Sequence, residues 1–69
     1  MGVTAGRAWG AATGLALRRL RRKAGLDPLA LAAVLGVEME TLVRIEHGQR
    51  PDDDLIRRID RWVLSVAGS

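Results

Sequence analysis

The side chains best equipped for molecular recognition lie close together, between residues 38 and 47 of a 69-residue chain. Arg44 carries a fork of donors that can bind guanine O6 and N7 together, and Glu40 can accept a hydrogen bond from a cytosine amine. Met39 can pack against a thymine methyl group. Plain structural roles are open as well, because Arg44 also fits a solvated helix surface and Glu40, with Glu38, fits the positive end of a helix.

Two short predicted helices must position these side chains. Asp27 and Pro28 form a start signal, because aspartate accepts an unpaired N–H at the N-cap and proline loses no hydrogen bond at the first helical position. We therefore expect a helix from Pro28 to about Leu35, a tight turn with positive φ at Gly36, and a second helix over about 38–47. The side chains expected to face inward are Leu31, Ala32, Leu35, Val37, Leu42 and Ile45.

Two further helices are predicted on either side of this pair. A first helix from about Ala11 to Ala24, ending at Gly25, carries Leu17, Leu20 and Ala24 at core spacing. A last helix starts at Asp52 or Asp53, where acidic residues suit the positive helix end. Its expected inward side chains are Leu55, Ile59, Trp62 and Val66, with Ile56 and Val63 in a second stripe.

The chain is thus predicted to be one all-α domain over residues 11–69, preceded by a loose arm at residues 1–10. Gly2, Gly6 and Gly10 disfavour a helix in the arm by about 1 kcal/mol each relative to alanine. Arg7, within the arm, could reach into a nucleic-acid groove, but the expectation is that it stays disordered.

Composition argues against several classes of protein. The chain has no cysteine, so neither a disulfide framework nor a cysteine-ligated zinc can stabilise it. No apolar run approaches the roughly 20 residues of a membrane span, and we expect a soluble, cytoplasmic protein without a membrane partner. His47 has no metal ligands spaced around it, and the serines and threonines lack a base partner. We therefore expect no metal, no cofactor and no enzymatic activity.

The net charge of +3 is unevenly distributed. Residues 1–25 carry six basic groups and no acidic one, whereas residues 26–69 carry five basic and eight acidic groups, a net of −3. A run of four basic residues in the first helix lies off its core stripe and fits a solvated face. Peripheral phosphate contacts or an acidic protein partner are the alternatives for this run. Its members are Arg18, Arg19, Arg22 and Lys23.

The chain from about Leu17 to Val63 resembles the Cro/repressor-type helix-turn-helix domain, the XRE family. The pattern of that family begins with a leucine, two residues of any type and leucine-arginine. It continues with Gly-Leu-Ser-Gln, a Leu-Ala pair, Gly-Val, an isoleucine and Ile-Glu-Asn-Gly. The resemblance implies a compact, lambda-repressor-like bundle of four to five helices with an ion pair between Arg21 and Glu46. The matching residues, without a gap, are Leu17, Leu20-Arg21, Gly25-Leu26-Asp27-Pro28, Leu31-Ala32, Gly36-Val37, Leu42 and Ile45-Glu46-His47-Gly48.

The resemblance also implies a transcriptional regulator that reads the major groove of double-stranded DNA with helix 38–47, as a homodimer. By analogy, a phage, prophage or plasmid origin, or an antitoxin role, suits so small a protein. The dimer surface is expected in the last helix, which has more apolar side chains than one core stripe needs: Trp62, Val63 and Val66. The expected DNA contacts are Met39, Glu40, Thr41, Arg44, Gln49 and Arg50, the last two on phosphates.

Two departures from the family pattern favour a second hypothesis. Pro28 replaces a glutamine that grips phosphate in relatives, and it offers neither a side-chain donor nor an N–H. Val43 stands where the family usually has a polar residue, and it shares a helix face with Met39. The alternative function is therefore a helix-turn-helix fold used for protein interaction, as an inhibitor, adaptor or antitoxin.

Overall fold

Four α-helices joined by short loops make up residues 9–68, the part of the chain that the computed structural model describes. The all-α class expected from the sequence is confirmed, since residues 9–68 contain no strand. α2 has the predicted bounds, and the observed ends of α1 and α3 fall one residue inside the predicted ones. The helices are α1 (Ala11–Lys23), α2 (Pro28–Leu35), α3 (Met39–Glu46) and α4 (Asp53–Ala67).

Side-chain caps begin α2 and α4. The Ala30 N–H donates to Asp27 Oδ1 at 2.8 Å, and the Leu55 N–H donates to Asp52 Oδ1 at 2.8 Å. Each carboxylate thereby satisfies a backbone donor that a helix start leaves without a partner. Asp52, rather than Asp53, is the N-cap of α4.

A glycine in the left-handed conformation ends α2 and makes the turn into α3. Gly36 has φ 73°, where a side chain would be strained, and its N–H donates to the Ala33 carbonyl at 3.2 Å. The Val37 N–H donates to the Ala32 carbonyl at 3.0 Å, which completes a Schellman motif. The same pair of hydrogen bonds closes α1 at Gly25 and α3 at Gly48.

The core lies where α2, α3 and the first half of α4 meet α1. α2 supplies the centre, with Leu31 fully buried, and α3 adds Leu42, also fully buried. The Arg58 Nη1 group of α4 donates to the Leu35 carbonyl at 3.1 Å, which fastens α4 to the end of α2. The buried apolar side chains are Leu17, Leu31, Ala32, Leu35, Leu42, Ile45, Leu55, Ile56 and Ile59.

Two predicted core stripes are wrong in part. Ala24 is exposed and Leu20 only half-buried, because α1 turns Leu17 and Arg21 inward instead. Along α4, Trp62 and Val66 are half-buried rather than buried. Trp62 packs against the core cluster but keeps part of its surface accessible, and Val66 lies one turn further towards the end of α4.

Trp9, in the segment predicted to be a loose arm, packs against the helices. The Trp9 indole packs against the core, and its Nε1–H donates to the Ile45 carbonyl at 3.2 Å. Ile45 lies in the last turn of α3, and its carbonyl also accepts from the Gly48 N–H at 3.0 Å. Trp9 therefore links the segment before α1 to the end of α3. The rest of the expected arm, including Arg7, lies outside the described residues.

α1 crosses the end of α3 at a point where only glycine fits. Gly14 is buried, and a Cβ atom added to it would lie 2.6 Å from the carbonyl oxygens of Ile45 and Glu46. Such a separation is well inside van der Waals contact, and backbone atoms cannot yield as a flexible side chain can. The glycine thus sets the distance between the two helices.

We expect Gly14→Ala to destabilise the domain by about 1–3 kcal/mol, because the added methyl group forces α1 away from α3. Urea unfolding followed by circular dichroism measures the change. Gly10→Ala is the matched control, since Gly10 has extended backbone and open space around its missing side chain. Equal stability of the two variants would contradict the close helix contact.

Candidate nucleic-acid interface

α3 presents one face to the core and another to solvent. Leu42 and Ile45 point inward, and Glu40 and Arg44 lie on the opposite side, where both are exposed. Thr41 is half-buried on one edge of the exposed face. On the other edge lie Met39 and Val43, which are 46% and 37% exposed. The structure thus brings four of the six residues proposed for DNA contact, Met39, Glu40, Thr41 and Arg44, onto one helix.

Glu40 and Arg44 are one helical turn apart, in the order that favours an ion pair. Within residues 9–68, however, no ion pair joins them, and the structure gives neither side chain another charged partner. Both charged groups are therefore available to a ligand. Arg44 is the basic residue of α3, so its guanidinium supplies the positive charge on this exposed face.

The loop after α3 holds the other two proposed contacts, and its arginine has internal partners. Arg50 Nη2 donates to Asp53 Oδ1 at 3.0 Å, and Arg50 Nη1 donates to the Pro51 carbonyl at 3.2 Å. An exposed ion pair of this kind contributes at most about 1 kcal/mol, so a phosphate can compete for the guanidinium. Gln49 is exposed, and its N–H donates to the Arg44 carbonyl at 3.0 Å, which fixes the loop against α3.

A buried ion pair holds the end of α3 against α1. Arg21 Nε donates to Glu46 Oε2 at 2.8 Å and Arg21 Nη2 to Glu46 Oε1 at 3.3 Å, the bidentate arrangement of a guanidinium on a carboxylate. Arg21 Nη1 also donates to the Leu26 carbonyl at 2.8 Å, in the loop before α2. The side chains of Arg21 and Glu46 are only 7% and 4% exposed. One guanidinium therefore connects α1, α3 and the loop that leads into α2.

Two members of the basic run of α1 project away from α3. Because α1 turns Gly14 and Arg21 towards α3, residues Arg19 and Lys23 project on the far side of the helix. They are exposed, and no ion pair of the described residues involves them. Arg19 and Lys23 thus lie on the side of α1 that faces away from α3.

His47 ends α3, and its ring lies against the backbone of that helix. Its Nδ1 atom lies 2.7 Å from the Val43 carbonyl, one turn back on the same helix. Within residues 9–68, no group of three or more histidines and carboxylates converges in a way that could hold a metal ion.

Sequence reasoning missed Gly14 and misplaced Trp9, although both position the end of α3. A signal existed for Gly14, since a glycine inside a helical pattern lowers helix stability and often marks close packing. For Trp9 the signal was weaker. A tryptophan beside Gly10 in a glycine-rich segment does not indicate which carbonyl its N–H will meet.

A comparison with known protein families matches residues 12–63 to the helix-turn-helix domain. The arrangement of α2, the turn at Gly36 and α3 agrees with this match. The chain belongs to this family. Helix-turn-helix domains bind DNA and are typically not enzymes, so membership indicates a DNA-binding, regulatory domain. Curated proteins and solved structures contain no significant match to the chain. Among the described residues, no helix has the length and apolar character needed to cross a membrane.

We expect Glu46→Ala to destabilise the domain by about 3–5 kcal/mol, because it leaves the Arg21 guanidinium buried without its carboxylate. Chemical unfolding in urea measures the loss. Asp54→Ala serves as the control, since it removes the exposed ion pairs of Asp54 with Arg57 and Arg58, at a cost of about 1 kcal/mol or less. A loss of comparable size in the two variants would show that burial adds nothing to the Arg21–Glu46 pair.

Proposed function

We propose that this protein is a sequence-specific regulator of transcription, of the Cro/repressor type, which inserts α3 into the major groove of its operator. The observation that carries the proposal is Arg44, an unpaired arginine at the centre of the exposed face of α3. An arginine in that position can donate to both guanine O6 and N7, the most common base-specific contact. Glu40, one turn earlier, can accept from a cytosine amine.

The rigidity of the scaffold supports this role. A base contact discriminates only if the side chain approaches from a fixed direction, and α3 is fixed at both of its ends. Gly36 sets the turn before α3, and the buried Arg21–Glu46 pair holds its last turn. Gln49 and Arg50 follow at the exposed end and suit phosphate contacts, which set register but carry no sequence information. To contact a phosphate, the Arg50 guanidinium exchanges its ion pair with Asp53 for one with the phosphate.

A second copy of the chain completes the proposed regulator. Two identical helices can read two half-sites about one helical turn, or 34 Å, apart along the DNA. The surface proposed for pairing is the second half of α4, where Trp62, Val63 and Val66 remain half-buried and Leu64 is 72% exposed. Covering such side chains removes apolar area from water and stabilises a dimer.

The alternative function is a protein-interaction module, and the exposed apolar side chains favour it. Leu29 at the start of α2 is 64% exposed, and Met39 and Val43 are exposed on α3. Pro28, as the first residue of α2, has no N–H to offer a phosphate. A protein with a matching apolar groove could cover this surface without any contribution from Arg44.

Binding to DNA separates the two functions. We expect the full chain to retain specific fragments from a genomic library at low salt, with affinity falling steeply as salt rises, because phosphate contacts release counterions. Absence of retained DNA at low salt would contradict the regulator and leave the protein-interaction module as the better account.

We expect Arg44→Ala to weaken binding to the preferred sequence by about 1–3 kcal/mol and to relax the choice of one base pair. Fluorescence anisotropy with the preferred duplex and its single-base variants measures both effects. Arg19→Ala is the matched control, because it removes an equal charge from the far side of α1. Uniform weakening across all duplexes would mean that Arg44 contacts a phosphate instead of a base.

We expect two chains per operator, and we expect Val66→Glu to abolish the two-chain complex because a charge opposes burial at the proposed interface. Sedimentation equilibrium with labelled duplex measures the stoichiometry. Leu15→Glu places the same charge on exposed α1 and should retain the two-chain complex. A wild-type complex containing one chain would contradict the dimer.

A further inference from the structure

Two apolar residues lie beside Glu40 and Arg44 on α3, on a surface where a helix exposed to water is expected to carry polar side chains. Met39 is 46% exposed and Val43 is 37% exposed. The two residues are one turn apart, so their side chains lie next to each other along one edge of the helix. Neither packs into the core cluster of the domain.

The chemistry of this pair limits what it can recognise in a groove of DNA. Valine has no hydrogen-bonding group, and the thioether of methionine is only a weak acceptor. The pair therefore cannot distinguish the donors and acceptors of base edges. The one apolar group that bases present in the major groove is the C5-methyl of thymine.

The neighbouring charges point to the same ligand. Arg44 lies on the same exposed face, and its guanidinium has no ion-pair partner among residues 9–68. When Arg44 contacts a guanine in the major groove, the adjacent base pairs lie next to the edge of α3 that carries Met39. A protein groove would have to cover the apolar pair and also supply a carboxylate for Arg44.

We propose that Met39 and Val43 form a thymine-methyl reader, which selects half-sites with a thymine beside the guanine that Arg44 binds. This inference rests on the proposed DNA-binding function and adds the base composition of the site. Transfer of the methyl group from water to the surface of the pair supplies the selectivity, and it requires no hydrogen bond.

The test begins with the full-length protein and a random duplex library, from which bound sequences are selected. Each thymine in the selected half-site is then replaced by deoxyuridine, which pairs identically but lacks the methyl group. We expect one or two such replacements to weaken binding about fourfold each, the effect of one buried methyl group. Replacements elsewhere in the duplex should leave the affinity unchanged.

Protein variants assign the effect to the apolar pair. Met39→Ala should bind thymine and deoxyuridine duplexes equally at the sensitive position, because the surface that covers the methyl group is gone. Leu15→Ala is the matched control, since Leu15 is 40% exposed and lies on the far side of α1. It should keep the full difference between the two duplexes. Circular dichroism checks that both variants retain the helical fold.

The outcomes separate this inference from the function on which it rests. Failure to select any DNA sequence overturns the DNA-binding function together with the methyl reader, and favours a protein partner for α3. Selection of a defined sequence whose affinity is unchanged by every deoxyuridine replacement overturns the methyl reader alone. A thymine preference that Met39→Ala and Val43→Ala both retain also overturns it.

Discussion

The buried pair between Arg21 and Glu46 is the interaction on which the arrangement of the helices depends. Two charges leave water at a large cost, and the structure offsets it with bidentate geometry and a third hydrogen bond to the Leu26 carbonyl. No buried side-chain polar atom of the described residues lacks a partner. Because the acceptors come from α3 and from the loop before α2, the pair is complete only when α1 lies correctly against both. An apolar substitute could fill the space but would not specify this orientation.

The same end of α3 is a meeting point for close backbone contacts. Gly14 lets α1 approach the Ile45 and Glu46 carbonyls, and the Trp9 indole donates to the Ile45 carbonyl. The last turn of a helix normally leaves carbonyl groups to water. Here the Ile45 and Glu46 carbonyls lie against α1, so that side of the last turn is covered while the exposed face of α3 remains open. A helix held in this way can present side chains rigidly, as specific recognition requires.

The arginines differ in whether they form ion pairs, and this difference sets where positive charge is available on the surface. Arg50, Arg57 and Arg58 contact aspartates at the start of α4, and Arg21 is buried. Among residues 9–68, Arg44, Arg61 and the basic residues of α1 other than Arg21 take part in no such ion pair. The exposed face of α3 therefore combines one available guanidinium, one carboxylate and an apolar edge. This combination supports the proposed base recognition, in which hydrogen bonds and a methyl contact act side by side.

The sequence by itself determined the helices and most of the core, because those depend on local rules. Asp27-Pro28 and Gly36 signal helix ends through backbone chemistry, and the spacing of Leu31 and Leu42 assigns the inward faces. The exposed residues of α3 follow from the same spacing. Only the tertiary structure decided the rest. The close approach at Gly14, the anchoring of Trp9, the partners of Arg50 and the separation of the α1 charges from α3 depend on how helices distant in sequence meet, and no local pattern encodes that geometry.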